Sequence, residues 1–184
     1  MARCLTGLAA LALAAAPLAA QQPATRYFVE GLGGAVVPTF DINDVAKTGA
    51  AVGGTIGYRL NDRWTVMGEF DYGFHHDQAT GDADINTLHY MGKLGYTILR
   101  PKAERGWEAL VNLGAGAVTF DVQGAPGNFT YFAINAGAKL AYNFNRSLAF
   151  VISPQGDIAF SDESEILTNN AWVWPVTAGL RVNF

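Results

Sequence analysis

The chain has 184 residues, half of them hydrophobic, with 12 Lys plus Arg against 16 Asp plus Glu and a net charge of −4. That length suits one domain, and the acidic balance excludes a nucleic-acid surface, which needs a basic face. After the first twenty residues no apolar run reaches the ~20 residues of a spanning helix, so a helical membrane protein is excluded, whereas a β-barrel, whose strands alternate, is not.

Residues 1–20 open on one positive charge, Arg3, run through an unbroken small and apolar stretch from Leu5 to Ala20, and give way to Gln21-Gln22. A charged start, an apolar middle and a small-residue exit make a secretory signal peptide, with cleavage expected after Ala20. The run is too short for a membrane anchor. Cys4, the only cysteine, leaves with it, so residues 21–184 carry no disulfide. Losing Arg3 leaves 11 basic against 16 acidic residues, or −5.

From Tyr27 onward the hydrophobic period is two. It predicts eight strands at about 26–37, 49–60, 63–74, 86–99, 106–119, 129–144, 147–160 and 171–184. The connections alternate: short near 61–62, 100–105 and 145–146, and longer near 38–48, 75–85, 120–128 and 161–170, rich in Asp, Asn, Gly, Pro and Thr. One hairpin recurs. Gly57-Tyr58-Arg59-Leu60-Asn61-Asp62-Arg63-Trp64 parallels Ala141-Tyr142-Asn143-Phe144-Asn145-Arg146-Ser147-Leu148, each setting a short Asn turn ahead of an apolar strand. Short turns at one end and long loops at the other, with an even strand number, predict an all-β, eight-stranded antiparallel up-and-down transmembrane β-barrel over 21–184.

The two strand faces decide the solvent. One face is apolar, with aromatics near strand ends and aliphatics between, as in the aromatic girdles of a membrane barrel. Strand eight shows it with Trp172, Trp174, Val176, Leu180, Val182 and Phe184. The other face holds small residues and a few mid-strand charges: Arg59, Glu69, Asp71, Lys93, Glu108, Lys139, Asp157 and Arg181, with Glu30. Five acids and four bases among Gly, Ala, Asn and Thr suit a packed interior that neutralises itself. Inward glycines leave room for those side chains. A soluble barrel would carry large apolar residues inside instead.

The last strand, Thr177-Ala178-Gly179-Leu180-Arg181-Val182-Asn183-Phe184, resembles the C-terminal assembly signal of bacterial outer-membrane proteins, through Thr177, Gly179, Val182 and Phe184. The whole mature chain is similar to the small outer-membrane β-barrels: the transmembrane domain of outer-membrane protein A and the short adhesin-like barrels. The resemblance implies residence in the outer membrane of a Gram-negative cell. It implies contact with its lipids and lipopolysaccharide, and recognition by the barrel-insertion machinery during assembly. It specifies architecture and not activity.

Candidate chemistry is sparse, and no cofactor is expected. His75-His76-Asp77, assigned to the second long loop, offers imidazoles beside a carboxylate, but adjacent strand residues point to opposite faces. Asp77, Asp82 and Asp84, with Asp162, Glu163 and Glu165, lack the spacing of a calcium loop and are expected to be solvated. Some barrels of this size modify lipid A through a His near a Ser at the outer rim. Ser153 points inward with no local activator, and none of His75, His76 and His89 is followed two residues later by Ser, so a non-enzymatic barrel is expected. The inward charges are expected to form an internal ion-pair network. The expected role is structural, or surface interaction through the four long loops with a partner left open; the alternative is a small, porin-like solute channel.

Overall fold

Alternation of apolar and small or polar residues cannot bury a helix face, but it gives each strand two sides of opposite character. In the computed structural model, which describes residues 25–39, 47–76, 84–122, 127–161 and 170–184, these strands close on themselves. They are β1 (Tyr27–Thr39), β2 (Gly49–Arg59), β3 (Trp64–His76), β4 (Asp84–Leu99), β5 (Gly106–Val122), β6 (Phe129–Asn143), β7 (Leu148–Ala159) and β8 (Ala171–Asn183). Each pairs antiparallel with the next. β8 returns to β1 in a register from Phe28↔Asn183 to Thr39↔Trp172, so the sheet has no free edge.

The repeated hairpin has one cause in both copies. The Asn61 side-chain oxygen accepts the backbone N–H groups of Arg63 and Trp64 at 2.8 and 3.0 Å. The Asn145 oxygen does the same for Ser147 and Leu148 at 2.8 and 2.9 Å. An Asx side chain thereby stands in for the missing backbone acceptor of the turn.

All strand ends at the short-turn side fall within one residue of the sequence reading, whereas several at the long-loop side do not. β1 runs on to Thr39, β3 to His76 and β5 to Val122, and β4 starts at Asp84. Pairing between β3 and β4 continues to His76↔Asp84 after the apolar alternation has ended.

The apolar row faces out. Ile56, Leu94, Leu113, Ile134, Val176 and Leu180 are all exposed. Rings crowd the two ends, as with Trp64 on Tyr96 at 5.0 Å and Phe132 on Phe160 at 6.0 Å. The barrel interior instead buries Glu30, Glu69, Lys93, Lys139 and Arg181. This is a soluble protein turned inside out, which is stable only with hydrocarbon around the outer face.

Candidate functional site

An eight-stranded barrel is just wide enough for its own side chains to fill, so what the lumen can do depends on how those side chains meet. Starting from the short-turn end, Arg59 Nη2 lies 3.8 Å from Glu108 Oε2. Arg181 donates from Nη1 to Glu108 (2.6 Å) and from Nε to Glu30 (2.8 Å). Lys139 donates to Glu30 (2.6 Å) and Glu69 (2.8 Å). Lys93 donates to the other oxygen of Glu69 and, at 3.2 Å, to Gln155. The result is an alternating chain of four cations and three carboxylates, ending on an amide, with one member from every strand. Arg181 and Glu30 have side chains with no exposed surface.

The local sequence makes room for it. A Cβ on Gly57 would stand 2.0 Å from the Phe28 ring, one on Gly114 2.7 Å from Lys93 Cγ, and one on Gly137 2.0 Å from Gln155 Oε1. Phe28, itself inward, lies between two guanidinium groups, Arg181 at 4.5 Å and Arg59 at 5.1 Å from its centroid. Contacts of this kind are attractive, since the ring face carries the negative side of its quadrupole.

Above this chain, toward the long loops, a second polar group forms. His89 Nδ1 is 2.7 Å from Asp157, whose other oxygen accepts from Asn135 at 2.6 Å. Thr87 Oγ1 links His89 Nε2 (3.2 Å) to His75 Nε2 (3.4 Å), and His75 Nδ1 donates to the Lys47 carbonyl at 2.8 Å. An apolar cluster that includes Val36, Met91, Val118, Phe120 and Val173 fills the same end of the lumen.

Of the inward charges singled out in the sequence, Arg59, Glu69, Lys93, Glu108, Lys139 and Arg181 meet in one chain through Glu30. Asp157 belongs to the histidine group, and Asp71 is buried on the same face with Oδ1 unpaired. Thr177, Gly179, Val182 and Phe184 lie along β8 and its end, Phe184 exchanging backbone hydrogen bonds with Tyr27 (2.9 and 3.3 Å). Two placements differ from the sequence reading. His75 and His76 belong to β3 and not to a loop, with His75 buried inside; Asp84 is in β4. Asp77, Asp82, Asp162, Glu163, Glu165 and the signal region 1–20 lie outside the described residues. Among the described residues no group of three or more His, Cys, Asp or Glu is arranged to hold a metal. Ser153 is buried and accepts from Gln155 at 2.9 Å. Sequence reasoning passed over Thr55, Thr87, Asn135, Gln155 and the inward role of His89. The signal was there in parity, since Thr87 and His89 share the face of Lys93.

The family described as outer membrane protein beta-barrel domain matches residues 6–184. Among solved structures the chain is similar to neisserial surface protein A, at 14% identity and TM-score 0.63, covering 86% of this chain and 97% of that one. It is also similar to the outer membrane protein OprG of Pseudomonas aeruginosa (15%, TM-score 0.62, 88% and 96%). A third is the N-terminal β-barrel domain of OprF from the same organism (20%, TM-score 0.55, 89% and 100%). No curated protein matches it. At these identities the likeness carries the fold alone.

Proposed function

Because the chain belongs to the outer membrane protein β-barrel domain family, we propose that it serves as an integral, non-enzymatic outer-membrane barrel whose structural or surface-interaction role is exercised through its four long loops. The observation that supports this most is the filled lumen. An ion-pair chain drawing on all eight strands crosses it, and the apolar cluster around Phe120 and Val173 occupies its long-loop end. With the interior committed to packing, the loops are the parts left to meet partners. The Ser153 hydroxyl is tied to Gln155, and the Thr87 hydroxyl, which does meet the imidazoles of His89 and His75, is buried inside the lumen and not at a rim open to lipid.

Cell fractionation and lipid A mass spectrometry test this. The protein is expected in the outer membrane, with migration on gels that changes on heating and with lipid A unchanged by its expression. Recovery from the soluble periplasm, or a protein-dependent change in lipid A acylation, would overturn it.

A second reading, a narrow solute channel, is favoured by the buried polar atoms that find no protein partner: Asp71 Oδ1, both amide atoms of Asn112, and Asn135 Oδ1. Unpaired groups of that kind call for water or a passing solute.

A further inference from the structure

The short-turn rim repeats one arrangement three times on its outer face. Tyr27 pairs across the strands with Tyr58, Trp64 with Tyr96, and Trp107 with Tyr142. In each pair the two rings touch, with centroids 4.8, 5.0 and 5.1 Å apart. An arginine just before the first ring then reaches the tyrosine hydroxyl. Arg63 Nη1 donates to Tyr96 at 2.6 Å, Arg105 Nε to Tyr142 at 2.8 Å, and Arg26 Nη1 to Tyr58 at a longer 3.4 Å. Two of the three guanidinium groups also lie over the tyrosine ring, Arg63 at 5.9 Å and Arg105 at 5.7 Å. Arg105 is one residue further from its ring than the other two. The intervening Gly106 has φ +143, a backbone conformation side-chain-bearing residues rarely adopt.

The rim's acids do not account for these arginines. Asp62 is paired with Arg100 at 2.7 Å, and Glu104 with Arg146. Among the described residues Arg26, Arg63 and Arg105 have no carboxylate within ion-pair range, and all three are exposed. Toward the described residues each keeps most of its five donors free, and each tyrosine keeps its own O–H to donate. The cluster therefore presents fixed positive charge and several donors at the height where an aromatic belt meets headgroups, the geometry that holds a phosphate by more than one bond.

We propose that Arg26/Tyr58, Arg63/Tyr96 and Arg105/Tyr142 form three headgroup sites for the phosphate of anionic glycerophospholipids in the leaflet around the short-turn rim. The neighbouring rings Tyr27, Trp64 and Trp107 cover the first carbons of the lipid. The tyrosine hydroxyl fixes the guanidinium in place, so the lipid does not bear the full entropy of ordering that long side chain.

Native mass spectrometry of the protein extracted from membranes in detergent, titrated with phosphatidylglycerol or phosphatidylcholine of equal chain length, tests this. Phosphatidylglycerol should be retained preferentially, by about fivefold per site, the factor one basic group near an anionic surface confers. Joint replacement Arg26→Gln, Arg63→Gln, Arg105→Gln should erase the preference. Arg100→Gln, Lys102→Gln, Arg146→Gln removes the same charge from the same rim and should leave it. Equal retention of the two lipids, or equal loss in both triple variants, would overturn the proposal, the latter by showing bulk charge at work. Displacement by millimolar inorganic phosphate would also overturn it, since a free anion would then be the ligand. Should the arginine variant fail to fold, Tyr58→Phe, Tyr96→Phe, Tyr142→Phe keeps every ring and charge. It should still weaken the preference, and an unchanged preference there counts equally against the sites.

Discussion

Lys139 shows how one residue can hold several strands. Its ammonium donates to Glu30, Glu69 and the Thr55 hydroxyl, on β1, β3 and β2, and only about 1% of the residue is exposed. Replacing it leaves Glu30 to Arg181 alone and Glu69 to Lys93 alone, two buried carboxylates each short of one cation. Lys139→Met should therefore destabilise the barrel, by up to about 3–5 kcal/mol. Adding Glu30→Gln should not rescue it, because that change also takes a carboxylate from Arg181. Urea unfolding of the refolded protein in detergent measures both, and a double variant more stable than Lys139→Met would contradict the account. These pairings are also where the sequence falls silent. Parity put Lys139, Glu30 and Glu69 on one face, but their spacings along the chain, 109 and 70 residues, carry no signal. The same is true of His89 and Asp157, 68 residues apart. Which inward residues touch depends on the stagger of the closed sheet, and no local pattern encodes it.

β8 carries two kinds of information on one strand. Its outward row meets lipid, and its end closes the barrel against Tyr27. A charge on the lipid face is costly by depth, about 2–4 kcal/mol at the midplane and 0–1 near an interface. Val176→Arg, mid-strand, should thus weaken folding into liposomes strongly, and Phe184→Asp hardly at all. In cells the order should invert for assembly. If Phe184 belongs to a signal recognised during insertion, Phe184→Asp should lower outer-membrane levels while export proceeds normally, a loss its small effect on stability cannot explain. Immunoblots of membrane and periplasmic fractions check this, and normal membrane levels would refute it. At this scale the sequence was most legible at the short-turn ends, where Asn61 and Asn145 mark the turns by a chemistry visible in the residue itself. It was least legible at the long-loop ends. There β3 and β4 keep pairing as far as His76↔Asp84 after the apolar alternation has ended, and without that alternation no local pattern announces a strand over His75 and His76.

Across the whole molecule, charge is sorted by position. The segments between strands at the long-loop end carry Asp41, Asp44, Asp77, Asp82, Asp162, Glu163 and Glu165 against a single base, Lys47. The short-turn rim carries Arg26, Arg63, Arg100, Lys102, Arg105 and Arg146 against Asp62 and Glu104. Between these ends lies the lumen, where the alternating ion pairs leave no stretch of one sign and the apolar cluster of Val36, Val118, Phe120 and Val173 lies toward the long loops. An ion entering the cavity of about 620 Å³ at the short-turn mouth, lined in part by Arg59, Glu108 and Asn183, meets Arg181 and Lys139, both already engaged by carboxylates. Passage requires breaking those pairs and then shedding water past Val118 and Phe120, and each step leaves charge unpaired in a poorly solvated space. Refolded protein in a planar bilayer is therefore expected to show no stepwise conductance. The joint replacement Val36→Ser, Val118→Ser, Phe120→Ser, which wets the exit while leaving the ion pairs intact, should remain closed as well, because the chain from Arg59 to Lys93 still fills the section below. Discrete steps from the unaltered protein would establish the channel reading in place of the filled-barrel one. Steps that appear only in the serine variant would locate the barrier in the apolar cluster and strip the ion-pair chain of its role in closing the lumen.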